Sequence, residues 1–203
     1  MSKFLGPIHY WLYNKILVEE DIILAIFDTI KSKGAEYNSI LNFCNSEYGE
    51  PVKGDLEDII DSSNIHGWLQ NRIASVEKRL AYVVVEALKD GLLTFEEIEN
   101  VFVENSEKYA NESESYNTPE QCFNGVYTYL LAGMPCDRVN VVVENTNEYI
   151  KWEQSIDVHK QYWDIVGGSV DTFHKLIEKW IEVFVTSKGM TFRKENDFNI
   201  IGV

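Results

Sequence analysis

One histidine and one glutamate recur at the same spacing in two similar stretches of the chain. The segment IHYWLYNKI, residues 8–16, returns as IHGWLQNRI, residues 65–73. The matching polar residues are His9 with His66, and Glu20 with Glu77. Imidazole nitrogen and carboxylate oxygen can bind a transition metal, and together they can also transfer a proton. The repeated pair is therefore the strongest indication of chemistry in the sequence.

Helical periodicity places the two pairs within apolar faces. At 100° per residue Glu20 lies about 20° from His9, and Glu77 has the same relation to His66. Apolar side chains within about 60° of His9 surround the first pair. They are Leu12, Ile16, Ile23, Phe27 and Ile30. An unpaired carboxylate in such a face has to be protonated, paired, hydrated or bound to a metal.

The two members of a pair cannot meet on one helix. At about 1.5 Å rise per residue, His9 and Glu20 stand roughly 16 Å apart. Antiparallel repeated helices would bring His9 to Glu77 and His66 to Glu20. Parallel helices would instead form a bis-histidine layer and a separate carboxylate pair sharing a proton or cation. The sequence leaves both arrangements open.

The leading functional hypothesis is a metal or other polar cofactor held between these helices. Both histidines lie in the first turn of a helix, where the dipole favours the neutral imidazole that ligates metal. A nitrogen and carboxylate donor set suits zinc, iron or manganese. The predicted ligands are His9, Glu20, His66 and Glu77, with His159 or Cys136 from later in the chain completing the coordination.

Helix signals organise the first half of the chain. Pro7 suits a first turn, Asn64 can cap a second long helix, and Gly34 and Gly91 end the two repeats. The predicted helices are about 7–33, 35–47, 65–90 and 95–108, with one further turn in LEDIID. Residues 1–110 therefore read as a duplicated helical hairpin that forms a bundle.

Residues 111–203 have a different pattern. The polar and acidic segment 104–117 is the best candidate for a boundary. RVNVVVEN and EYIKWEQ predict a first hairpin, with the valine run typical of a buried strand, and the tail predicts a second hairpin that turns at Asn196 and Asp197. Helices after Pro119 and Ser169 would pack on this sheet. We expect an α+β fold that is mainly α, with a small antiparallel sheet.

The overall composition restricts the partners. The 203 residues carry a formal charge of −15, and the sequence pI is about 4.6. Acidity of this size disfavours nucleic acid and anionic membranes, which attract basic surfaces. Three widely spaced cysteines argue against a disulfide framework and for a reducing compartment, so we expect a cytoplasmic protein.

Three other functions are compatible with the same residues. The main alternative is a small-molecule binding or sensor domain with an aromatic-lined pocket, in which the His/Glu pairs are purely structural. A hydrolase or isomerase with a His/Glu general base is another. The pairs could also only set the register of a duplicated scaffold. No glycine-rich phosphate loop, HExxH, GxSxG or CxxC motif is present to support other enzyme classes.

Overall fold

The computed structural model describes residues 5–203, which form eight α-helices, one 3₁₀ turn and four strands. The helices are α1 (Pro7–Ser32), α2 (Asn38–Tyr48), α3 (Leu56–Ile59), α4 (Ile65–Lys89), α5 (Phe95–Glu112), α6 (Pro119–Tyr129), α7 (Lys160–Ile165) and α8 (Val170–Ser187). The 3₁₀ turn is Pro135–Asp137, and the strands are β1 (Asn140–Asn145), β2 (Tyr149–Gln154), β3 (Thr191–Glu195) and β4 (Phe198–Gly202). The predicted α+β, mainly α fold is confirmed.

The two long helices begin at the predicted residues and end one residue before the predicted ends. The Asn64 side chain accepts a hydrogen bond from the Gly67 backbone N–H at 3.2 Å and caps α4. Gly34 and Gly91 follow the two long helices with φ values of 73° and 65°, a conformation that favours glycine. Thr94 and Glu97 form a capping box ahead of α5.

The chain divides into two compact units. The first contains the chain up to Ile98 together with Gln161–Ser169, and the second contains Glu99–Lys160 with Val170–Val203. The division falls inside α5 and α7. The division into residues 1–110 and 111–203 stays a prediction.

In the first unit α4 is the central helix, with α1 and α2 packed against it. The rings of His9 and His66 are neighbours, and further along the same two helices Glu20 pairs with Arg79. Because both contacts advance in the same direction along both helices, α1 and α4 run parallel. This selects the parallel arrangement of the two that the sequence left open.

In the second unit a four-stranded antiparallel sheet has the order β1-β2-β4-β3. Helix α6 contacts β2 and β4, and α8 contacts β3. The largest side chains of this core are fully buried. They are Trp152, Trp180, Phe102 and Phe184.

Two predictions about this half of the chain are wrong. Helix α5 continues to Glu112 through the segment predicted to be a connector, because Asn105 and Ser106 turn inwards and bond to Trp180. The valines of β1 are not buried: Val141, Val142 and Val143 are exposed, because β1 lies at the sheet edge with neither face covered. Within residues 5–203, no helix is long and apolar enough to span a membrane.

Candidate functional site

The two repeated histidines lie side by side at one end of α1 and α4. Their ring centroids are 5.6 Å apart, with the planes tilted by 41°. His9 is half-buried, but His66 is exposed. The expectation that both histidines sit inside an apolar face is therefore wrong for His66, since it occupies the first turn of α4, where the helix pair ends.

His9 already has a local role in capping its helix. Its Nδ1 accepts a hydrogen bond of 2.9 Å from the Gly6 backbone N–H. A neutral imidazole that accepts at Nδ1 carries its proton on Nε2. In this conformation neither nitrogen of His9 offers a free lone pair to a metal, so metal ligation would require the bond to Gly6 to break.

The repeated glutamates lie in a second layer, further along the helices. Glu20 forms a buried ion pair with Arg79, not with a histidine. Glu77 is also buried, with 1% of its surface exposed. Arg79 lies about 220° around α4 from His66, whereas Glu77 lies about 20° from it, so the two side chains leave the helix in nearly opposite directions. Both sides of α4 nevertheless approach α1, since Trp68 packs against Tyr13 and Glu77 lies close enough to Glu19 to raise its pKa.

Two further ionisable residues of α1 are buried in this unit. Glu19 and Lys15 are each 5% exposed, and sequence periodicity did not predict their burial. Burial and the neighbouring carboxylates of Glu77 and Glu20 raise the pKa of Glu19 well above its ordinary value. Burial lowers the pKa of Lys15 to about 7, although its ammonium lies 3.6 Å from the centre of the Trp11 ring. Burial also raises the pKa of Glu20 more than the Arg79 guanidinium lowers it.

The two additional predicted ligands belong to the second unit. Cys136 is exposed on the 3₁₀ turn, with its sulfur 3.9 Å from an Asp137 carboxylate oxygen. His159 is buried, and its ring centroid lies 4.4 Å from that of Phe173. Across the described residues, no group of three or more His, Cys, Asp or Glu side chains has the geometry to hold a metal ion. The six predicted ligands are thus distributed over several places.

The second unit contains a cleft of about 530 Å³, counting its open mouth. Its apolar walls are formed by residues of α8 and of the loop after α6. They are Leu130, Leu131, Ala132, Phe173, Ile177 and Ile181. Polar side chains from α6, from α8, from three strands and from the residue before α7 enter the same space. They are Tyr127, Gln154, His159, His174, Glu178, Lys194 and Asn199.

Two pairs of ionisable side chains lie at this cleft and at its outer edge. His174 Nε2 is 3.2 Å from an Asp157 carboxylate oxygen, a contact that is close but not aligned as a hydrogen bond. The other Asp157 oxygen accepts hydrogen bonds from the backbone N–H groups of His159 and Lys160 at 2.9 and 3.0 Å, which fixes the carboxylate. Lys194 on β3 forms an ion pair with Glu178 on α8. A more open outer pocket shares His174 and Lys194 with the cleft and adds Asp157 and Asp197.

Tyr127 contributes a hydroxyl group to the cleft wall. This oxygen accepts a hydrogen bond of 3.0 Å from the indole N–H of the fully buried Trp152. Burial raises the pKa of Tyr127, so the phenol stays neutral and keeps its proton.

The sequence did not locate the cleft, although His159, one of the residues that line it, was a predicted metal ligand. The cleft depends on the packing of α6 and α8 on the sheet, which no short motif reports. No family model, curated protein or solved structure matches this chain.

Proposed function

We propose that the protein binds a small organic molecule in the cleft of its second unit. The supporting observation is the combination of an apolar lining with several polar side chains that enter from different elements. Ligand sites in proteins have this composition, in which the apolar walls contribute affinity and a few fixed polar groups set the orientation. The histidine, glutamate and arginine side chains of the first unit then serve packing and capping.

Several polar groups of the cleft and its outer pocket are held by other residues, which supports recognition of one orientation. Asp157 is fixed by two backbone N–H groups next to His174, and Tyr127 is fixed by the Trp152 indole. His159 is held against Phe173. Side chains restrained in this way lose little further entropy when a ligand binds.

The proposal is tested by filling the cleft. Ile177→Trp places a large ring in the cleft, and Ala132→Leu fills less of it. Glu182→Trp adds the same ring to an exposed position of α8 outside the cleft. Thermal unfolding is measured for each protein against a library of metabolites, because a ligand that binds only the folded state raises the melting temperature.

We expect compounds that stabilise the original protein to stabilise Glu182→Trp equally and to lose their effect on the two filled variants. Compounds that stabilise Ile177→Trp and Ala132→Leu as well as the original protein would contradict binding in this cleft.

A second candidate function, metal binding by His9 and His66, is favoured by the adjacency of the two rings. Zinc, iron or manganese would be the metal, with water completing the coordination. Elemental analysis of tag-free protein tests this function: bound metal should fall in His9→Ala and His66→Ala variants. Sub-stoichiometric metal that is unchanged by either substitution would contradict it.

A further inference from the structure

We propose that the ligand of the cleft is a neutral carbonyl compound with an aromatic or branched aliphatic body, and that its carbonyl oxygen accepts a hydrogen bond from the Tyr127 hydroxyl. This inference rests on the proposed function, since it names the class of molecule that the cleft binds. It follows from the donors, the walls and the charges of the second unit.

The hydroxyl proton of Tyr127 is a hydrogen-bond donor whose acceptor has to be identified. An indole N–H can only donate, so the 3.0 Å contact with Trp152 makes the Tyr127 oxygen the acceptor. The phenolic proton has to be directed elsewhere, and within residues 5–203 no acceptor receives it. Tyr127 is half-buried, so this donor must be satisfied by water or by a ligand. Because Tyr127 lines the cleft, a ligand oxygen can do so.

The apolar walls of the cleft and the charges around it restrict the class of ligand that can supply the accepting oxygen. The buried side chains Leu131, Phe173 and Ile181 suit an apolar body. Lys194 is the one lysine or arginine among the side chains that line the cleft and outer pocket, and it is already paired with Glu178.

The outer pocket adds two carboxylates, Asp157 and Asp197, without another cation. The whole chain has a charge of −15. A carboxylate ligand would enter a repulsive field, so a neutral carbonyl is the acceptor that fits.

Three probes of similar size separate these requirements. Acetophenone carries a neutral carbonyl on an aromatic ring, ethylbenzene lacks the oxygen, and benzoate replaces the ketone with a charged carboxylate. Their binding is followed through the ¹⁵N–¹H resonance of the Trp152 indole. This N–H donates to the Tyr127 oxygen, so its shift responds when that hydroxyl donates to a ligand.

Two phenylalanine variants complete the design. Tyr127→Phe removes the donor, and Tyr129→Phe removes a phenol from the same helix at a position that does not line the cleft. We expect acetophenone to bind roughly fivefold more tightly than ethylbenzene to the original protein and to Tyr129→Phe, which is the effect of about one net hydrogen bond. In Tyr127→Phe the two dissociation constants should become equal. Benzoate should bind more weakly than either neutral probe.

Each other outcome overturns the inference in a recognisable way. Equal binding of acetophenone and ethylbenzene to the original protein would remove the role of Tyr127 while leaving a cleft that binds apolar molecules. Preferential binding of benzoate would replace the neutral carbonyl with an anion. If none of the probes binds and Ile177→Trp changes no ligand response, both the inference and the proposed function fail.

Discussion

At the scale of single residues, the first unit is distinguished by a carboxyl group in a place where its charge is costly. Glu19 is 5% exposed, and one of its oxygens has no hydrogen-bond partner in the described part of the chain. Burial and two neighbouring carboxylates, Glu77 and Glu20, raise its pKa. The folded chain therefore holds a proton on Glu19 that the unfolded chain releases at lower pH.

This displacement of the pKa predicts the direction of a pH effect on stability. Above the ordinary carboxyl value of 4.5, and up to the raised pKa of the folded state, the folded chain binds more protons than the unfolded chain. The free energy of unfolding contributed by Glu19 therefore falls as pH rises through that interval. A neutral amide at this position does not have this dependence.

We predict that Glu19→Gln stabilises the protein, with a gain that grows as pH rises above 4.5. At the upper end of this pH interval we expect the free energy of unfolding to rise by about 1 to 2 kcal/mol, which is the effect of replacing a buried carboxylate with a neutral group. Urea unfolding at several pH values measures it, with the exposed Glu47→Gln on α2 as the control. A difference between Glu19→Gln and the original protein that does not vary with pH would show that Glu19 is not buried as a protonated group.

At the scale of elements, the contact between α1 and α4 includes one buried ion pair. Glu20 and Arg79 are 7% and 1% exposed, so neither charge is solvated once its partner is removed. Removing one member of such a pair is costly, whereas replacing both with apolar side chains is often neutral.

A double-mutant cycle tests this contact. We expect Arg79→Met to lower the free energy of unfolding by about 3 to 5 kcal/mol, and Glu20→Leu together with Arg79→Met to recover most of that loss. Lys33→Met removes a surface pair with Glu97 and should cost less than about 1 kcal/mol. Additive effects of Glu20→Leu and Arg79→Met would contradict a direct pairing of these two residues.

The strands supply a second comparison at this scale. Val142 on the edge strand β1 is 42% exposed, whereas Ile150 on the interior strand β2 is 1% exposed. We predict that Val142→Thr changes the free energy of unfolding by less than about 0.5 kcal/mol, and that Ile150→Thr lowers it by about 2 kcal/mol or more. Chemical denaturation measures both, and similar losses at the two positions would mean that β1 is covered.

At the scale of the whole molecule, elements were predictable where local chemistry decides them. Asn64, the Thr94 and Glu97 box, and the glycines after α1 and α4 mark helix ends within a few residues. The predicted burial of the β1 valines is wrong because residue type indicates strand propensity, whereas exposure depends on the position of the strand in the sheet. The parallel direction of α1 and α4 was one of two open arrangements, since periodicity fixes a face but not its partner.

The candidate sites were predictable only in part, because periodicity fixes the face on which a residue lies but not the residue that it meets. The sequence located four residues on two faces, but Glu20 pairs with Arg79, a residue outside the repeated set. The cleft combines α6, α8 and strands that are distant in the chain, so its composition follows from tertiary packing alone. His159 was singled out from its residue type, yet its burial against Phe173 required the fold.

Native mass spectrometry of the purified protein tests whether the second unit binds a small organic molecule in its cleft. We predict a co-purified organic mass on the original protein and on Glu182→Trp, and its absence from Ile177→Trp. Organic adducts that are retained in Ile177→Trp and Ala132→Leu would contradict binding in this cleft.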